Sequence, residues 1–69
     1  MRKVYFVLQV LPTGQQEVNA IIEQRFEEAQ LEEAVRSASS LAKILDTDKC
    51  VIEIVKWVND VEDKVIFGV

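Results

Sequence analysis

Residues 3–11, Lys-Val-Tyr-Phe-Val-Leu-Gln-Val-Leu, form a run rich in β-branched and aromatic side chains that stops at Pro12. Such a run reads as a β-strand. Leu11-Pro12-Thr13-Gly14 supplies Pro where a turn fixes φ and Gly where the chain leaves it, which predicts a hairpin into the residues that follow. One long helix from Thr13, with Gln16 as capping partner, fails on periodicity. At 100° per residue Val18, Ile21, Ile22, Phe26 and Ala29 fall on one side of the wheel, and Leu31, Ala34, Val35, Ala38, Leu41, Ala42 and Leu45 on the opposite side. With period two, Val18, Ala20, Ile22 and Phe26 share a face against Glu17, Asn19, Glu23, Arg25 and Glu27. A second strand over 17–27 follows, with a separate short helix as the competing reading.

Residues 30–45 carry the stripe Leu31, Ala34, Val35, Ala38, Leu41, Ala42, Leu45 at helical spacing. Glu32 and Glu33 in the first turns and Lys43 near the end suit the helix dipole. After Asp46-Thr47-Asp48, residues 50–58 read as a third strand, Asn59 to Asp63 as a polar connection, and 64–69 as a fourth strand. The expected fold is α+β in the order ββαββ, a four-stranded, mainly antiparallel sheet with one helix packed on one face.

A chain of 69 residues and net charge -4 supports one domain, 1–69. Area scaling predicts burial of about 61% of the unfolded surface. Apolar burial then contributes on the order of 105 kcal/mol against about 103 kcal/mol of ordering cost. With these nearly balanced, self-association is the natural way to gain burial.

Histidine is absent and Cys50 is the single cysteine, which excludes imidazole catalysis, imidazole metal sites and an intrachain disulfide. No phosphate loop, nucleophile elbow or calcium loop is present, and no cofactor is expected. Cys50 is in phase with Ile52 and Ile54 and reads as a buried structural thiol in a reducing cytoplasm. Met1 to Leu8 has the charged start and apolar run of a signal peptide, but Gln9 and Pro12 interrupt it and no cleavage site follows. No run reaches the roughly 18 apolar residues of a membrane span.

Between Glu17 and Glu33 six acids meet one base, Arg25. Glu23, Glu27, Glu28, Glu32 and Glu33 therefore form a candidate acidic patch for a basic protein partner. One helix covers one face of four strands, so Tyr5, Val7, Ile21, Val55, Trp57 and Ile66 are expected to line the second face as a homodimer interface of about 400 to 600 Å² per copy. The resulting expectation is a small non-enzymatic interaction or regulatory module, a homo-oligomer of unknown target, of the size that phages and mobile elements encode. Two alternatives remain: single-stranded nucleic acid stacked on Tyr5 and Trp57, opposed by a sequence pI of about 4.6, or an acidic inhibitor that imitates nucleic acid.

Overall fold

In the computed structural model, residues 2–13 and 21–69 are described. Strand β1 spans Val4–Pro12, β2 Ile22–Glu27, helix α1 Leu31–Ile44, β3 Cys50–Val58 and β4 Val61–Gly68. The four strands form one antiparallel sheet in the order β2-β1-β3-β4, so the expected ββαββ fold is present. The anticipated second strand is shorter than 17–27, because Ile21 lies in a bend just before it. The first part of that strand and Gly14 lie outside the described residues, whereas Pro12, expected as the second residue of a turn, still belongs to β1 and pairs with Cys50, and the Thr13 N–H donates to the Lys49 carbonyl.

The helix lies over the two central strands. Phe6, Leu8 and Val10 of β1, Ile52 and Ile54 of β3, and Phe26 of β2 meet Ala34 and Ala38, both fully buried. Two alanines at the centre of the helix stripe let its backbone come close to the sheet, while Leu31, Val35, Leu41, Ala42 and Leu45 pack around them. Cys50 belongs to this core, and its Sγ donates to the Asp46 carbonyl at 3.3 Å. The helix begins almost without a loop. A single 3-10 turn, Glu28–Gln30, follows β2, and the Glu27 N–H donates to Gln30 Oε1 at 3.0 Å in a reciprocal capping arrangement.

Two features depart from the sequence expectation. The connection between β3 and β4 is two residues rather than five: Val58 pairs with Val61, and Asn59 and Asp60 have φ of 53° and 63°. These left-handed positions are those of the tight turn whose twist matches a hairpin, and Asn and Asp tolerate them better than most side chains. The β3–β4 ladder also shifts register twice, between Ile54 and Val55 and between Lys56 and Trp57. Phe67 pairs with Ile54 and Val65 with Val55, so Ile66 is an extra residue in β4. Each such insertion reverses the side-chain alternation beyond it. Val65 therefore sits on the open face, while Ile66, expected there, packs with Phe67 against the helix-side core.

Candidate functional site

The open face of the sheet is built as rows of directly opposed residues. Glu27, Tyr5, Trp57 and Glu62 form one row, Arg25, Val7, Val55 and Val65 the next, and Glu23, Gln9, Glu53 and Gly68 a third. The apolar middle of this face is narrow and is bounded by charged or polar side chains on both sides.

Strand pairing brings Tyr5 beside Trp57, and their rings lie nearly parallel, 8° apart, with centroids separated by 6.1 Å. The Arg25 side chain, on the diagonal neighbour, places its guanidinium carbon 3.9 Å from the centroid of the Tyr5 ring. Its Nε also lies 3.5 Å from Glu27 Oε1. At the ring's other end the Tyr5 hydroxyl donates to Asp60 Oδ1 at 3.1 Å, and Lys3 Nζ lies 3.3 Å from the same oxygen. The turn is tied to β1 through its backbone as well: the Lys3 N–H donates to Asn59 Oδ1 at 2.9 Å, and the Asn59 N–H donates to the Lys3 carbonyl at 2.8 Å. Further along, Gln9 Nε2 donates to Glu53 Oε1 at 2.6 Å.

These contacts tune two titrations in opposite directions. Desolvation raises the Tyr5 hydroxyl above its ordinary value, and the hydrogen bond to the Asp60 carboxylate raises it further; Arg25 opposes both. The Lys3 hydrogen bond lowers the Asp60 carboxyl, followed by the Tyr5 hydrogen bond and the Lys3 charge.

Of the residues expected to line an interface here, the structure brings Tyr5, Val7, Val55 and Trp57 together and leaves the other two elsewhere. Ile21 precedes β2, donates its N–H to the Val10 carbonyl at 2.7 Å and is 64% exposed. Ile66 packs against the core beneath the helix, for the register reason given above. Tyr5, Val7 and Val55 are only 8%, 8% and 1% exposed in the single chain. They leave much less apolar surface than the 400 to 600 Å² expected from the sequence. The stacking platform for a nucleic-acid base is likewise narrowed, since one face of the Tyr5 ring is taken by the Arg25 guanidinium.

Glu23 and Glu27 stand on β2, Glu28 in the 3-10 turn, and Glu32 and Glu33 in the first turn of α1. Glu27 lies beside Arg25, and Glu32 lies 3.8 Å from Arg36 one helical turn on. Among the described residues no group of acidic or sulfur ligands is arranged to hold a metal ion.

Two exposed apolar side chains outside the expected interface, Ile22 and Ile44, lie on β2 and α1. A groove of about 520 Å³ runs between them over Leu8, Ile22, Leu41 and Ile44, with Gln24, Glu33 and Arg36 along it. Ile44 is 78% exposed and Ile22 37%. Ile44 falls outside the seven-residue helix stripe read from the sequence and is the last residue of α1. No helix among the described residues is long and apolar enough to cross a membrane. No known protein family, curated protein or solved structure matches the chain.

Proposed function

We propose that the protein is a small non-enzymatic interaction module that works as a homo-oligomer in a reducing, cytoplasmic setting. The observation that carries this reading is the exposure of Ile22 and Ile44, two large apolar side chains that line the β2–α1 groove, with Ile21 exposed just before β2. A cluster of that kind on a chain of 69 residues gains most from being covered by protein. The absence of histidine from the sequence supports a binding role over a catalytic one. The free thiol of Cys50, buried in the core, suits a compartment in which cysteines stay reduced. Sedimentation equilibrium from low to high micromolar concentration tests the reading. A dimer or larger species is expected, and a protein that remains monomeric throughout refutes it.

A further inference from the structure

Resting on the homo-oligomeric reading, we propose where the copies meet: the outer edge of β2 pairs antiparallel with β2 of a second copy, about a two-fold axis at Gln24, forming one eight-stranded sheet. The bonds from the Thr13 N–H to the Lys49 carbonyl and from the Asn59 N–H to the Lys3 carbonyl continue the β1–β3 register at odd-numbered β1 residues. Even-numbered β1 residues therefore turn their peptide groups toward β2, where Phe6, Leu8 and Val10 oppose Phe26, Gln24 and Ile22. By the same alternation Glu23, Arg25 and Glu27 direct their N–H and C=O groups outward. The Glu27 N–H fits this, since it is taken by Gln30 and not by β1. Among the described residues no strand lies beyond β2, which leaves Glu23 and Arg25 presenting a donor and an acceptor each.

The two edges of the sheet differ in how far they invite pairing. The β3–β4 ladder is interrupted twice, and such bulges twist an edge away from regular partners. The β1–β2 ladder runs through six opposed pairs with no shift, so β2 is regular and straight enough to continue the sheet.

Charge then selects the register. Outward peptide groups must meet outward peptide groups, so odd-numbered residues oppose odd-numbered ones and the two helices fall on the same side of the joined sheet. A two-fold axis at Glu23 would set it against the partner's Glu23. An axis at Arg25 would set it against the partner's Arg25, and Glu23 against the partner's Glu27. An axis at Phe26 runs into the 3-10 turn and needs the Glu27 N–H that Gln30 already holds. The axis at Gln24 opposes Glu23 to the partner's Arg25, and Arg25 to the partner's Glu23, in the two hydrogen-bonded pairs. It also sets Ile22 against the partner's Phe26 on the helix side, beside the apolar groove. Opposite charges directly across a strand pair stabilise it and like charges destabilise it.

Three variants and two measurements, oxidative cross-linking and sedimentation equilibrium, test this. Gln24→Cys places a thiol at the axis, where non-hydrogen-bonded partners come within about 4.5 Å between Cα atoms and a disulfide can form. Mild oxidation is expected to convert Gln24→Cys to a covalent dimer, while wild type, with only buried Cys50, does not cross-link. Glu23→Lys should weaken association on the order of tenfold by sedimentation equilibrium, and Glu23→Lys/Arg25→Glu should restore it. An oligomer that is insensitive to Glu23→Lys and does not cross-link through position 24 overturns the β2 interface while leaving the homo-oligomeric reading intact. A wild-type monomer overturns both.

Discussion

On one face of the sheet Leu8, Val10, Ile52 and Ile54 lie beneath a helix; on the other Tyr5, Val7 and Val55 are buried beside an arginine, a tryptophan and a two-residue turn. The first face is closed by apolar packing, in which Phe6 and Phe26 join the aliphatic side chains. Among the described residues no polar or charged residue is buried in it, and its central contact is made by Ala34 and Ala38, small side chains that allow a close approach. The second is closed by long or amphipathic side chains that bury their stems and rings while holding charge in water. Removing side chains from the first face should therefore be costly and insensitive to pH. Perturbing the polar closure of the second should cost less and depend on pH.

The largest effect is expected from Ile54→Ala. It empties a fully buried site between β3 and the helix, at about 2 to 5 kcal/mol of stability by chemical denaturation. In a domain of this size that shift alone approaches the whole margin. Ala38→Leu tests the same face from the opposite direction. The added methylenes have no space between helix and sheet, so a loss of about 1 to 3 kcal/mol is expected; a neutral result would mean that the helix stands farther off than the structure places it.

Smaller effects belong to the open face. Tyr5→Phe keeps the ring beneath Arg25 and deletes only the hydrogen bond to Asp60, and it should lower the thermal midpoint by a few degrees. The same contact makes stability depend on acid. The Asp60 carboxyl is lower in the folded protein than its ordinary value of 3.8, so its contribution is present above about pH 4 and is lost as pH falls through the folded value. Asp60→Asn should remove that part of the acid limb of a stability–pH curve. A curve of unchanged shape would show that the carboxylate is not held by Lys3 and Tyr5.

Much of this arrangement could be read from the sequence. Runs of β-branched and aromatic side chains mark β1 and β3, the 3.6-residue stripe marks α1, and period-two alternation with the opposed phases of 18–29 and 31–45 separates β2 from the helix. The facing of Val4 to Val10 and of Ile52 and Ile54 followed directly. What stayed hidden has specific physical causes. A bulge leaves no mark on composition, so the exchange of Val65 and Ile66 between faces was invisible. The turn at Asn59-Asp60 lacks the glycine that usually signals a two-residue hairpin, and five polar residues looked like a loop. The closing of the open face depends on where one flexible arginine lies, and alternation counts Arg25 only as a polar position. The spatial order that puts β2 at an edge could not be deduced from element order, so the self-complementary Glu23-Gln24-Arg25 drew no attention.

The claim that one chain closes its own open face is tested most directly by titrating its single tyrosine. Phenolate absorbance should rise at a pH above the ordinary value of 10.0 while far-ultraviolet circular dichroism shows the fold intact, because burial and the Asp60 carboxylate both favour the neutral hydroxyl. In Asp60→Asn the midpoint should fall back only part of the way, since desolvation beneath Arg25 and beside Trp57 remains. The raised value also means that the favourable contribution of Tyr5 persists below pH 10 and fades as pH climbs through the folded value. A tyrosine that titrates at 10 in the folded wild type, unchanged in Asp60→Asn, would show the ring open to water and contradict the account.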